Sequence, residues 1–177
     1  SGAIIDELER LIEAGTPIAA INAAIPGAFD LKRFEKKYPD RYFDVGIAEQ
    51  MSVSSAVAMA QAGIRPVLFE NSTFLQRAYD ELSHDVALNN DPATLLVYLA
   101  GAYGMNVRNG SIKETSATHQ GSFDIAYLSS LPNVDYLAPT SVEELISMLD
   151  WALTQAENPV IIRQPEQKLL HRPATQD

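Results

Sequence analysis

The sequence predicts an α/β domain: a three-layer, doubly wound, mostly parallel sheet of about six strands, with helices on both faces. Three observations carry that expectation. Apolar, strand-like runs recur at 17–25 (PIAAINAAI), 41–46 (RYFDVG), 65–70 (RPVLFE), 94–100 (TLLVYLA), 134–138 (VDYLA) and 159–163 (PVIIR). Segments with helical periodicity alternate with them, which is the signature of strands joined by crossovers and covered on both faces. The chain has 177 residues and is 46% apolar, enough to bury one continuous core.

Each element has a local reason. Apolar residues at 4, 5, 8, 11 and 12 make 4–13 an amphipathic helix. A short helix is expected over 31–38, and an Ala- and Ser-rich one over 49–62 that Gly63 stops. Ser72 or Thr73 is expected to cap a helix reaching about Asn89, which Asn89-Asn90-Asp91-Pro92 ends. Residues 101–118 are polar, contain glycine and show no periodicity, so they read as a long loop, a feature usually tied to function in a compact domain. A helix is expected over 123–131, and another over 140–156, where Ser141 and Glu144 stand at capping-box spacing. The folded unit is expected to cover 3–166, with a polar tail at 167–177.

Composition narrows the function. Lys and Arg number 13 against 23 Asp and Glu, a net charge of −10 that repels nucleic-acid phosphates. The basic cluster Lys32, Arg33, Lys36, Lys37 and Arg41 is interrupted by Glu35 and Asp40 and reads as a solvated helix face. There is no cysteine, which removes disulfides and thiolate metal sites. No apolar run approaches the roughly 18 residues of a membrane span, and the acidic start is unlike a signal peptide, so the cytoplasm is the expected compartment. No metal-ligand spacing, phosphate-binding loop or dinucleotide fingerprint occurs, so no metal site is expected.

Ligands of a doubly wound sheet bind beyond the carboxyl ends of its strands. That rule directs attention to 44–50, 70–77, 101–120 and 163–167. Glu49 begins a helix, where free N–H groups and the helix dipole favour an anion. Spacing alone leaves two readings: a plain helix-start carboxylate, or a partly buried one poised to share a proton with a ligand nitrogen. Phe74 is either core or a stacking platform for an aromatic ligand. Arg77 either forks onto a phosphate or carboxylate, or, as spacing favours, pairs with Asp80 or Glu81. His119 closes the long loop at the ligand edge, while His84 and His171 read as incidental.

The order of segments adds more. DVGIAEQ at 44–50, STFLQRAYDELSHDV at 72–86, THQGSFDIAYLSSLPNVDYLAP at 118–139 and IIRQP at 161–165 together resemble the pyrimidine-binding domain of transketolase-like thiamine diphosphate enzymes. The wording is nearest to the 1-deoxy-D-xylulose-5-phosphate synthases. In that resemblance Glu49 hydrogen-bonds the aminopyrimidine ring and promotes its imino tautomer, Phe74 stacks on the ring, and Ile47 lies beside it. His119 matches a substrate-side catalytic histidine, and Arg77 and Arg163 match contacts to a sugar phosphate. The resemblance further implies thiamine diphosphate as cofactor, its magnesium held by a separate diphosphate-binding domain or subunit, and a homodimer or an association with that partner. Some positions depart from the pattern: Met51 stands where histidine is usual, Asn71 where tyrosine is, Thr115-Ser116-Ala117 where Asp-Gly-Pro is, and Glu166-Gln167 ends a segment that is usually basic. A non-catalytic interaction module that kept the fold is therefore the alternative reading.

Overall fold

Strands β3 (Arg65–Asn71) and β4 (Thr94–Ala100) form the centre of a six-stranded sheet. The computed structural model describes residues 2–100, 105–108, 111–114, 121–165 and 169–172. The other strands are β1 (Ile18–Asn22), β2 (Tyr42–Asp44), β5 (Met105–Arg108), β6 (Ser111–Glu114), β7 (Asp135–Leu137) and β8 (Val160–Pro165). The sheet order is β2-β1-β3-β4-β8-β7, and every neighbouring pair is parallel. The expected doubly wound architecture is therefore present, all-parallel rather than mostly so.

Both faces are covered, which is why the strands read as apolar without alternation. Helices α1 (Gly2–Glu13), α2 (Leu31–Lys37) and α7 (Val142–Thr154) pack on one face, where Leu8, Phe34 and Leu149 meet Ile18, Val67, Phe69, Leu96 and Ile162. On the other face, Val53 and Val57 of α3 (Glu49–Gln61) join Leu75, Leu82 and Val86 against Ile21, Leu68, Leu95, Val97 and Ile161. The basic cluster is a solvated face that also ties α2 to α1 by opposite charge. Arg33 reaches Asp6 and Glu9, and Lys37 reaches Glu9 and Glu13.

Four local expectations change. Asn71, rather than Ser72 or Thr73, caps the helix after β3, its Oδ1 accepting from the Thr73 N–H at 3.0 Å. That helix is segmented into α4 (Ser72–Leu75), a 3₁₀ turn (Gln76–Ala78), α5 (Tyr79–Glu81) and a π-helical stretch (Leu82–Leu88). Ser83 Oγ and His84 Nδ1 both approach the Asp80 carbonyl, a side-chain competition that regular α-helix does not favour. Within the expected loop, β5 and β6 pair antiparallel from Met105↔Glu114 to Arg108↔Ser111. Strands of four residues, with two apolar positions in one and a single one in the other, are too short for alternation to reveal them, although Asn109-Gly110 is a strong hairpin signal. The helix expected over 123–131 is the shorter α6 (Asp124–Leu128).

The capped helix α7 is close to its prediction. Ser141 Oγ accepts from the Glu144 N–H at 3.1 Å, while Glu144 Oε2 reaches back one residue further, to the Thr140 N–H at 2.7 Å. Leu95 is fully buried in the central strand, whereas Leu88 stays 65% exposed. Urea unfolding should show Leu95→Ala costing about 2–5 kcal/mol, and Leu88→Ala within about 0.5 kcal/mol of the natural chain.

Candidate functional site

The chain runs from β1 out to β2 and then returns to β3 on the other side of β1, so the sheet reverses order between β1 and β3. A crevice at the carboxyl ends of such strands is where doubly wound sheets hold ligands. Asp44, the last residue of β2, organises this edge. Its Oδ1 accepts from the backbone N–H of Gly46 at 2.9 Å and of Ala24 at 3.0 Å, and its Oδ2 accepts from Asn22 Nδ2 at 3.1 Å. The chain then turns at Gly46, whose φ of +75° is readily available to glycine, and enters α3 at Glu49. Ala48 provides no side-chain cap. The first-turn N–H groups are thus left to the Glu49 neighbourhood, an environment that favours negative charge.

Glu49 is only 3% exposed. Arg77 Nη1 lies 3.5 Å from Glu49 Oε2, and the same guanidinium sits 5.9 Å from the centre of the Phe74 ring. The surface pairing of Arg77 with Asp80 or Glu81 favoured by sequence spacing is replaced by this contact, because the 3₁₀ turn directs Arg77 back toward α3. Glu49, Phe74 and Arg77 therefore converge. Ile47 and Met51 flank them at the surface, 80% and 58% exposed, with Phe43 nearby in the chain and also exposed. His119 lies outside the described residues.

Arg163 belongs to a second cluster. Its Nε donates to Asp124 Oδ2 at 2.6 Å, and Tyr136 Oη donates to the same oxygen at 3.0 Å. Asp124 is almost wholly buried, at 1% exposed. Tyr127, one turn along α6, donates to the Ser72 carbonyl at 2.8 Å and ties this cluster to α4. A small cleft beside Asp124 is lined by Ser72, Thr73, Gln76, Phe123 and Tyr127. Among the described residues no cluster of three or more His, Asp or Glu side chains is arranged to hold a metal ion.

Two site residues escaped the sequence reading. Glu70, near the end of β3, is fully buried, and its Oε1 lies 3.0 Å from Ser52 Oγ. Burial pushes its carboxyl up to about 8, with the nearby Glu49 charge adding to the shift and the Ser52 and Asn71 hydrogen bonds opposing it. A lone Glu ending the apolar run VLFE was a signal for it. Asp124 had no such signal, since an acid in a helix's first turn is ordinary.

The family model for the transketolase pyrimidine-binding domain matches residues 1–171. The chain belongs to that family. Among curated relatives, the 1-deoxy-D-xylulose-5-phosphate synthase of Clostridium tetani is 48% identical over 149 residues, covering 84% of this chain and 22% of the relative. That of Symbiobacterium thermophilum is 47% identical over 151 residues, covering 85% and 22%. The chain thus spans about a fifth of the length of these synthases. Solved structures agree in fold. A split-gene transketolase described as an inactive β4 tetramer superimposes with a TM-score of 0.77 at 23% identity, over 94% of this chain and 50% of that one. A transketolase from Pichia stipitis in complex with a sedoheptulose phosphate gives 0.72 at 18% identity, over 88% and 24%. The family's domain thus sits here on an all-parallel sheet, with its DVGIAEQ segment at the carboxyl edge.

In this transketolase-type domain the Arg163–Asp124 pair is a structural requirement that can be measured. Asp124→Ala leaves a mostly buried guanidinium and Tyr136 without their acceptor, and should lower stability by about 3–5 kcal/mol in denaturant unfolding. Replacing the pair together, as Asp124→Leu with Arg163→Met, should restore most of that loss.

Proposed function

We propose that residues 3–166 form the pyrimidine-binding half of a thiamine diphosphate site, within a transketolase-like enzyme that makes or breaks carbon–carbon bonds on a sugar phosphate. The carrying observation is the convergence of buried Glu49 with Phe74 and Arg77 at the carboxyl edge of the sheet. An aminopyrimidine fits what is present. It offers ring nitrogens to a carboxylate and a flat face to an aromatic ring, and the exposed apolar Ile47 and Met51 border the same edge.

Each residue then has a role. Glu49 is held at a helix start, away from bulk water, where its carboxylate can hold a proton against a ring nitrogen. Phe74 supplies stacking area. Arg77, 57% exposed at its side chain, is a replaceable partner: its pairing with Glu49 is weak enough to yield to a ligand, freeing the guanidinium for a phosphate. Arg163 is held by Asp124 for a second contact to the sugar phosphate, and His119 is assigned to proton transfer on the substrate side. Ile47 is assigned to the cofactor's apolar flank. Bound thiamine diphosphate supplies the carbon nucleophile of such reactions. The reading places its diphosphate and magnesium on a separate domain or subunit, with the exposed face formed by Phe43, Ile47 and Met51 turned toward that partner or a second copy. It also places the protein in the cytoplasm.

The second reading, a non-catalytic interaction module, is favoured by Met51, a thioether at an exposed position beside the site where a proton-carrying side chain would otherwise stand. The two diverge in one experiment. The chain combined with a diphosphate-binding partner domain and magnesium should bind thiamine diphosphate. Glu49→Gln should then slow exchange of the thiazolium C2 proton by roughly 10²–10⁴-fold, as loss of acid–base assistance does. Binding without any effect of Glu49→Gln would support the interaction module instead.

A further inference from the structure

Ser52 faces inward from α3, three residues beyond Glu49. Its Oγ lies 2.6 Å from the Glu49 carbonyl oxygen and 3.0 Å from Glu70 Oε1. Both neighbours are oxygens, and a hydroxyl has one proton to donate. If that proton goes to Glu70, two bare oxygens face each other at 2.6 Å across the Ser52–Glu49 contact. If it goes to the Glu49 carbonyl, the contact with Glu70 needs a proton from Glu70 itself. A protonated Glu70 satisfies both distances with a full two-centre hydrogen bond at each.

The surroundings point the same way. Glu70 is fully buried, and its Oε2 has no hydrogen-bond partner among the described residues. Among the described residues, the titratable groups that act on it electrostatically are Glu49 from α3, Tyr98 from β4 and Tyr127 from α6, none of them a cation. The Ser52 hydroxyl and the Asn71 backbone N–H are the groups that favour its anion. By contrast, buried Asp124 has Arg163, and Glu49 has Arg77.

We propose that Glu70 is a proton-bearing positioning residue of the Glu49 site: as a neutral acid it donates to Ser52, and Ser52 donates to the Glu49 carbonyl at the first turn of α3. This rests on the reading of Glu49 as the pyrimidine contact. With Glu70 neutral, Glu49 carries the charge that a ligand proton meets, and two buried carboxylates do not repel each other. When Glu70 loses its proton, the Ser52 hydrogen turns to the new anion and the link to Glu49 is broken. The site therefore carries a built-in alkaline limit. Its direction follows from linkage. Glu70 binds its proton more tightly folded than unfolded, so the stability it contributes is full below about 4.5 and is lost as pH rises through about 8.

Infrared spectroscopy of the 177-residue chain reads the proton directly and needs no cofactor. A protonated-carboxyl carbonyl band is expected at neutral pH, retained in Glu49→Gln, absent in Glu70→Gln, and titrating away with a midpoint of about 8. Ser52→Ala should keep the band but shift it to higher frequency, because the acid loses its acceptor; this variant preserves the test if Glu70→Gln folds poorly. The thermal midpoint of the natural chain should fall between about pH 5 and about pH 8, and Glu70→Gln should remove that slope. In the assembled enzyme, thiamine diphosphate affinity should decline on the alkaline side, and Glu70→Gln should remove that decline. No band at neutral pH, or a band that survives Glu70→Gln, overturns the proposal. A band that follows Glu70 while the assembled enzyme fails to bind thiamine diphosphate overturns the pyrimidine reading and Glu70's role in it, but leaves the proton assignment standing.

Discussion

A parallel ladder buried on both faces is the constraint from which the rest of this structure follows. Parallel neighbours cannot be joined by tight hairpins, so each return is made by a crossover that must pack on one face of the sheet or the other. The six strands consequently all point the same way, and their carboxyl ends gather at one edge. Asn22, Asp44, Glu70, Asn71 and Arg163 come to that edge from four different strands. Polar groups at the rim of an apolar sheet need partners there, and the need is met locally: Asp44 binds the loop that delivers Glu49, and Asp124 holds Arg163.

Three buried carboxyl groups illustrate how differently that need is met. Asp124 has a short contact to a mostly buried guanidinium and a tyrosine hydroxyl besides. Glu70 has a serine and a backbone N–H, with no cation among the described charges acting on it. Glu49 has a partner side chain that is itself more than half exposed and 3.5 Å away. An exposed partner is screened and easily exchanged, whereas an enclosed one is not. The loosest of the three arrangements thus marks the place where an incoming molecule displaces least.

Much of the fold was legible because the strands are long apolar runs and the helices between them are periodic. The strands β2, β3, β4, β7 and β8 lie within about two residues of the expected bounds at each end, and β1 differs only because its run continues in small residues past Asn22. What pattern reading missed was short or polar. β5 and β6 are too short for their alternation to stand out, and the cap at Asn71 competes with two neighbouring residues that also cap well. At the site, Glu49, Phe74 and Arg77 were found through motif order, and the structure brings them together. The Arg77–Glu49 contact depends on a 3₁₀ turn that no spacing rule anticipates. Glu70 and Ser52 were illegible for another reason: their meaning lies in a contact between α3 and β3, eighteen residues apart in sequence.

The sheet's outermost strands, β2 and β7, are each only three residues long. An unpaired strand edge is a template for another chain, and its reach scales with the number of N–H and C=O groups in the row. Here the long, strongly apolar strands β3, β4 and β8 lie inside, and the two margins offer barely one ladder repeat apiece. Lateral growth of the sheet into fibrous aggregates is therefore blunted at both sides by the shortness of its margins. Association with other chains is left to side-chain surfaces rather than to backbone pairing.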